Sequence, residues 1–405
     1  MFCVSTYPLR VQPPLSPTLP TLASQVCPPR HVSAGDEIRI ITSVFTDMVR
    51  FRCTVPARAE ADASDDGPVF CIGEADMALL NDYGRLDAFT AAVERILSGR
   101  ELELPSAVVA LELSSGVSSV LFGLQLSREQ LGDQAPAWLQ RLSCTRLVTS
   151  SDADAASVLA AIAANSRIPS DRLQICRHGV LGLAAAAASS PTASASPVSL
   201  IVCDLVEPCG LLSQGVLKDL RFATEFLSHR HVAVLPSEVT LVLAAVECEQ
   251  LADQHRVFLD NTLADVGTVN SFGAVLLREL DLHRIPGLRF LSPQVDAKTL
   301  CLQGGVSSLP CACLVQLPLK KGLVHAVAFW FRMAMGAATA LGPLSTDQKE
   351  GHWRQAAFLL DQPFSIGEDE DELHPAPVLE VLVCVDETTG KAVKITCLSE
   401  RYGWL

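Results

Sequence analysis

Apolar and β-branched residues run almost unbroken from Val108 to Leu113, small residues follow, and a second apolar run begins at Val120. That succession predicts a buried strand feeding a helix through a tight turn. Ahead of it, Leu79, Leu80, Leu86, Phe89, Val93 and Ile96 fall at helical spacing between Asp76 and Leu97 and predict one amphipathic helix or two. Behind it, Arg146–Thr149, Leu173–Cys176 and Ser199–Cys203 read as further strands, and Asp152 as the cap of an alanine-rich helix over 153–164. Strands alternating with helices at this spacing predict a doubly wound α/β domain.

Beyond His231 the pattern changes. The segments 232–235, 239–246, 314–317, 324–331, 356–360, 378–385 and 392–397 are strand-like, with one helical interval at Leu251–Leu282. A run of strands with few helices predicts an antiparallel sandwich or barrel. At the other end, seven prolines within the first thirty residues, Pro13-Pro14 and Pro28-Pro29 among them, are incompatible with a lasting helix or paired strand. Alternation sharpens between Asp36 and Val55 (Ile38, Ile40, Val44, Phe51) and predicts an accessory strand pair; the acidic, alanine-rich 59–67 reads as a linker, and 184–197 as a low-complexity loop.

Of the 405 residues 49% are apolar and 19% charged, enough for a sizeable core. The net charge of −14 argues against a general nucleic-acid surface, so no direct DNA binding is expected. Fourteen scattered cysteines with no Cys-x-x-Cys pair and no signal-like opening predict reduced thiols in the cytoplasm. Cys311 and Cys313 suit alternate positions of a strand better than a metal site, because no second ligand pair stands at ligand spacing, and no metal is expected. His229 and His231 are read as a turn. The apolar run 322–341 contains His325 and Arg332, both costly at a bilayer centre, and predicts a pair of core strands rather than a membrane span.

The turn after Leu113 lies where a doubly wound sheet receives a nucleotide-like cofactor, and glycines there let the backbone approach the ligand. Here Gly116 stands between Ser114 and Ser118. Arg85, on the preceding helix, is either a solvated face residue or a group pointing back over that site. Four stretches carry a resemblance: Leu80-Asn-Asp-Tyr-Gly-Arg85, Ala110-Leu-Glu-Leu-Ser-Ser-Gly116, Asp204-Leu-Val-Glu-Pro-Cys-Gly-Leu-Leu-Ser-Gln214, and Leu344-Ser-Thr346 followed by Gly351-His-Trp-Arg-Gln355. In these the chain resembles the protein arginine methyltransferases from about Val69 to its end.

The resemblance implies a class I methyltransferase Rossmann-like sheet followed by an antiparallel β-barrel-like domain with a helical dimerisation arm. The expected layout is a disordered leader over 1–35, accessory strands and linker over 36–68, the Rossmann-like domain over 69–231, and the barrel over 232–405 with the arm at about 251–285. Implied cofactor positions are Arg85, Glu112, Ser114, Gly116, Ser118, Ser150 and Asp152; implied acceptor positions are Asp204, Gln214 and His352. The chain departs from the family at most of them. Glu112 replaces an aspartate, Ser114 and Ser118 replace two turn glycines, and Ser150 replaces the acid that grips the ribose, with Asp152 nearby. Asp204 and Gln214 replace two glutamates, and no aromatic closing motif precedes Asp76.

A carboxylate on two hydroxyls contributes roughly 1.5 to 3 kcal/mol and a serine about 1 or less. With two added Cβ atoms the loss reaches about 3 kcal/mol, about a hundredfold in affinity. No bound S-adenosylmethionine is therefore expected unless the protein is active. An amide in place of one carboxylate, and an aspartate that withdraws the other by about 1.5 Å, predict negligible turnover. The expected function is that of an inactive regulatory subunit, a prozyme, joined through the arm to an active arginine methyltransferase, with RNA-binding proteins as possible clients and no membrane partner. The alternatives are a divergent active enzyme using Glu112, Asp152 and Asp204, and an RNA-associated adaptor.

Overall fold

A computed structural model describes residues 24–25, 39–44, 49–54, 71–72, 74–99, 102–114, 118–149, 153–189, 196–207, 209–213, 215–253, 277–304, 311–336, 342–349, 351–366, 377–386 and 391–398. They fall into two units, Met1–Met77 and Ala78–Leu405. The first holds β1 (Ser24–Gln25), β2 (Arg39–Val44), β3 (Val49–Thr54) and β4 (Cys71–Ile72). β1 pairs antiparallel with β4, and β2 with β3, the strand pair that the alternation after Asp36 predicted. β1 corrects the expectation that no paired strand forms in the leader: it falls between Pro20 and Pro28, where no proline removes a backbone donor.

Helix α1 (Glu74–Leu80) stops at Asn81, and α2 (Tyr83–Leu97) restarts behind Asp82, whose carboxylate caps it. Then follow β5 (Val108–Ser114), α3 (Val120–Leu131), α4 (Ala137–Gln140), β6 (Leu142–Thr149), α5 (Ala153–Asn165), β7 (Leu173–Cys176), α6 (Gly179–Ser189), β8 (Val198–Cys203), α7 (Val216–Phe222) and β9 (Ser228–Leu235). The five strands are parallel in the order β7-β6-β5-β8-β9, with Leu111 of β5 level with Arg146 on one side and Ile201 on the other. This is a doubly wound sheet whose order reverses beside β5, which places a crevice at the carboxyl ends of β5 and β8.

The remainder comprises β10 (Glu238–Glu247), α8 (Glu249–Asp253), β11 (Leu277–Leu280), β12 (Arg289–Phe290), β13 (Val295–Cys301), β14 (Cys311–Pro318), β15 (Gly322–Ala334), β16 (Leu344–Ser345), β17 (Gln355–Ile366), β18 (Val378–Asp386) and β19 (Lys391–Leu398). One antiparallel sheet runs β11-β17-β15-β10-β12, with β13 against β10 and β16 against β15; another runs β14-β18-β19. Alternate residues of β10 serve two cores. Leu241, Leu243 and Ala245 join the main core with Leu111 and Leu200 of the parallel sheet, whereas Val242, Ala244 and Val246 pack with Ala328, Trp330 and Leu280 on the far face. The two sheets are thereby held against each other, with the loop from Thr346 to Gln355 beside the crevice.

Several expectations are corrected. Of the predicted helical arm, residues 254–276 lie outside the described residues, and its distal end is strand β11, paired with β17 from Leu277↔Phe358 to Leu280↔Gln355. Within the run 322–341, of which 337–341 lie outside the described residues, residues 322–334 form one long strand, β15, rather than a pair. Its two polar groups are satisfied: His325 Nδ1 accepts from the Cys248 amide at 3.1 Å, and Arg332 pairs with Asp296 at 2.6 Å. His229 and His231 lie within β9, not in a turn. α6 extends into the segment read as a loop, because the alanines at 184–188 favour helix. Cys311 and Cys313 occupy alternate positions of β14. Among the described residues no helix is long and apolar enough to cross a membrane.

Candidate functional site

The crevice is built by four chain segments. The first is the start of α2. Asp82 Oδ1 accepts from the Arg85 amide at 2.9 Å, the ordinary N-cap bond. Its Oδ2 is turned to the barrel, where it accepts from the His352 amide at 3.0 Å and from His352 Nδ1 at 2.7 Å. Burial pushes the Asp82 carboxyl up, but the bonds from the His352 ring and from the Arg85 and His352 amides outweigh it, and the group stays below its ordinary range.

Arg85 follows one turn later on the inward face of α2, 1% exposed. The solvated reading is thereby excluded. Its Nη1 donates to Ser118 Oγ at 3.2 Å, and its Nη2 to the Ser118 carbonyl at 3.3 Å and to Asp204 Oδ2 at 2.8 Å. The guanidinium carbon lies 5.6 Å from the Phe89 ring centroid.

The second segment is the end of β5 with the start of α3. Glu112, 1% exposed, accepts the Val120 amide at 2.9 Å, the Leu121 amide at 2.8 Å and the Ser119 hydroxyl. A carboxylate there answers donors that a helix N-terminus leaves unpaired. Burial nevertheless pushes its pKa up to about 7, against the pull of Ser119, the two amides and Arg85.

The third segment continues β8. The Asp204 amide donates to Leu113 O at 3.0 Å, extending the ladder past Cys203 and setting the side chain, 7% exposed, over the crevice. The chain then folds into a hairpin, with Glu207 N to Leu211 O and Ser213 N to Leu205 O both at 2.8 Å. Gly210 at its tip has φ of 80°, and a Cβ there would collide with the Arg354 carbonyl and stand 2.9 Å from Gln355 C and Cα. Only glycine combines that conformation with so close an approach.

The fourth segment is the barrel loop. Thr346 Oγ1 accepts from the Phe331 amide at 3.0 Å, and Gln355 Nε2 donates to the Thr346 carbonyl at 2.6 Å while its Oε1 accepts from the Leu282 amide at 3.0 Å. Trp353 Nε1 donates to Val206 O in the hairpin at 3.0 Å, and the His352 ring packs against Trp353 at a tilt of 42° with centroids 4.1 Å apart. The loop therefore grips both α2 and the Asp204 hairpin. Four buried atoms around the crevice have no hydrogen-bond partner among the described residues: Arg85 Nε, Thr149 Oγ1, Asp204 Oδ1 and His352 Nε2.

The structure thus brings together Arg85, Glu112, Ser118, Asp204 and His352 of the sequence-derived set. Ser114 ends β5. Gly116, Ser150, Asp152 and Gln214 lie outside the described residues. Sequence reading missed Asp82, which is as central as Arg85; the break in apolar spacing at Asn81-Asp82 was the available signal for a capping carboxylate.

No family model matches the chain. It is 25% identical over 324 residues to protein arginine N-methyltransferase 9 of Xenopus laevis, which covers 75% of this chain. It is 26% identical over 300 residues to the arginine N(omega)-methyltransferase of Streptomyces achromogenes subsp. streptozoticus, covering 71% of this chain.

The chain is related to the protein arginine methyltransferases.

The match spans 38% of the frog protein's length and 72% of the Streptomyces enzyme's. The fold agrees. The Trypanosoma brucei PRMT1 enzyme-prozyme heterotetrameric complex with AdoHcy contains a chain similar over 80% of this one and 97% of its own length, with a TM-score of 0.54 at 15% identity. PRMT6 matches over 80% and 98%, with a TM-score of 0.51 at 13% identity.

This fold implies S-adenosylmethionine as donor, and of the implied donor positions Gly116, Ser150 and Asp152 lie outside the described residues. Of the two charged donor-side positions described, Arg85 is bonded to Asp204 and Ser118, and Glu112 has both oxygens on α3.

Proposed function

We propose that this arginine methyltransferase homologue is catalytically inactive by itself and serves as a regulatory subunit that binds and activates, or stabilises, an active relative in a hetero-oligomer. The observation that carries the reading is the Arg85–Asp204 ion pair, 2.8 Å across and 1% and 7% exposed. It joins the cation implied to hold the donor to the carboxylate implied to hold the acceptor. Catalysis in such a site requires both groups aimed at substrates, and misplacement of about 1 Å already slows a reaction by about a hundredfold. Around that closed pair the scaffold is kept: the capped α2, the braced hairpin and the barrel loop are tied together by hydrogen bonds into a framework of the kind a partner can dock on. That one structural neighbour is an enzyme-prozyme complex supports an assembly of this type. The cysteine usage supports a reducing compartment, the cytoplasm.

Co-expression with candidate active relatives, followed by size exclusion and peptide methylation, tests the proposal. A mixed oligomer with raised activity is expected, together with S-adenosylmethionine binding by the lone chain too weak for micromolar calorimetry. Methylation by the purified chain alone at an ordinary enzymatic rate would overturn it. The alternative, a divergent active enzyme, draws support from the buried atoms of Thr149, Asp204 and His352 that have no partner among the described residues, since such atoms commonly mark a ligand's place.

A further inference from the structure

We propose that the outer face formed by the end of α7, the π-helical turn that follows it and the start of β9 is a docking surface for an acidic peptide segment of a partner protein, one that carries an apolar anchor between its carboxylates. This surface lies outside the crevice, and its role is independent of whether the crevice turns over.

Three observations carry it. First, α7 runs on into a π-helical turn, Ala223–Leu227, a distortion common at functional sites. The turn sets Phe226 against Phe222 with ring centroids 4.8 Å apart, yet leaves Phe226 63% exposed. It is held in place by Thr224 Oγ1, which donates to the Arg221 carbonyl at 2.9 Å, and by Ser228 Oγ, which donates to the Ala223 carbonyl at 2.8 Å. Second, β9 opens with a bulge. Val198 is level with Ser228 and Leu200 with Ala233, so residues 229–232 stand opposite a single residue of β8. His229, Arg230 and His231 are in consequence all exposed, where a regular strand turns alternate side chains inward. Third, the face is locally basic in a chain of net charge −14. Arg221, His229, Arg230 and His231 are exposed, and no ion pair among the described residues engages them. Between 221 and 231 the acid is Glu225, and just ahead Lys218 and Asp219 offset one another.

These features select the occupant. Unpaired guanidinium groups favour carboxylates, which they bind through two parallel bonds. The exposed Phe226 ring gains from being covered by an apolar side chain. Glu225, next to that ring, repels a nucleic-acid strand with a charge at every phosphate, and the net acidity of the chain repels it at longer range. A peptide can instead set its apolar residue beside Glu225 and its carboxylates on either side. Backbone pairing is closed off a step further on, because Gln303 Nε2 donates to Val232 O at 2.9 Å and its Oε1 accepts from the Val234 amide at 3.0 Å. Recognition is therefore through side chains and not by an added strand.

Fluorescence anisotropy with the full-length chain tests the proposal, using labelled Asp-Glu-Asp-Glu-Leu-Phe-Asp-Glu-Asp-Glu as probe. The controls are the same peptide with Gly-Ser for Leu-Phe, its all-amide counterpart and a uridine oligonucleotide. Saturable binding of the acidic peptide is expected, stronger than that of any control and weakened as salt rises from about 50 mM to about 300 mM. Phe226→Ala and Arg230→Glu should each weaken it at least about fivefold, and Glu225→Gln should tighten it about threefold, a gain that misfolding cannot imitate. Urea midpoints of the three variants should match the wild type, since the side chains are exposed. Binding unchanged in Phe226→Ala and Arg230→Glu, an oligonucleotide that binds more tightly than the peptide, or no saturable peptide binding below about 1 mM overturns the proposal. None of these readings involves methylation, so failure here is distinct from failure of the regulatory-subunit reading.

Discussion

Asp82 is the residue whose loss should be felt in both halves of the larger unit. Replacing it by alanine removes the cap of α2, worth about 1 kcal/mol, and strands the His352 ring, whose Nε2 has no other partner among the described residues. Breaking a buried pair by deleting one member costs roughly 3 kcal/mol or more, so Asp82→Ala should destabilise by about 4 kcal/mol. Asp82→Ser separates the two contributions, because a serine hydroxyl still caps but is too short to serve the ring; about 3 kcal/mol should remain lost. Urea unfolding followed by circular dichroism gives these values from midpoints at constant slope. A cycle with His352→Ala should return a coupling of about 2 kcal/mol, within the range for residues in direct contact. Acid supplies a second signature. The depressed Asp82 carboxyl stabilises the fold above its ordinary value of 3.8, and that contribution is lost as pH falls through the lower folded value. A serine variant as stable as the wild type, or a coupling below about 0.5 kcal/mol, would refute the claim that this pair ties α2 to the barrel loop.

Gly210→Ala should cost about 2 to 5 kcal/mol, combining an unfavourable positive φ with the collision against Arg354 and Gln355; an unchanged urea midpoint would mean the hairpin can shift away freely. Trp353→Phe should cost about 1 to 2 kcal/mol through the lost bond to Val206, and should speed hydrogen exchange at the Glu207 and Ser213 amides. Glu112 carries the opposite pH sign to Asp82. With its pKa raised from 4.5 to about 7, its contribution is fully present below 4.5 and is lost as pH rises through 7, by about 3 kcal/mol in all. The stability difference between the wild type and Glu112→Gln should therefore shrink or change sign across that window, and a difference constant from pH 4 to 8 would argue against the shift.

The chain's local patterns were sufficient for four of the five parallel strands and for most strands of the antiparallel sheets, because burial on one or both faces of an element imposes a short-range periodicity that any window of residues displays. The fifth, β9, reads as part of the antiparallel region because 232–235 shows no sign of its parallel partner β8. Capping, the strand-end placement of Asp204 and the rejection of a bilayer span are local in the same sense. The distal end of the predicted arm failed for that reason: Leu277–Leu280 has no marked period of its own and becomes a strand because β17 offers it a ladder. The long single strand at 322–334 likewise depends on partners on both sides, β10 and β17.

Composition and spacing determined which side chains exist to do chemistry here; only the tertiary structure decided what they do to one another. Arg85 and Asp204 are 119 positions apart, and Asp82 and His352 are 270 apart. Charges at such separations meet only where the ends of β5 and β8, the start of α2 and the barrel loop are packed around one crevice. Excluded from water there, each member of a pair depends on the other for the partner that solvent would otherwise have supplied.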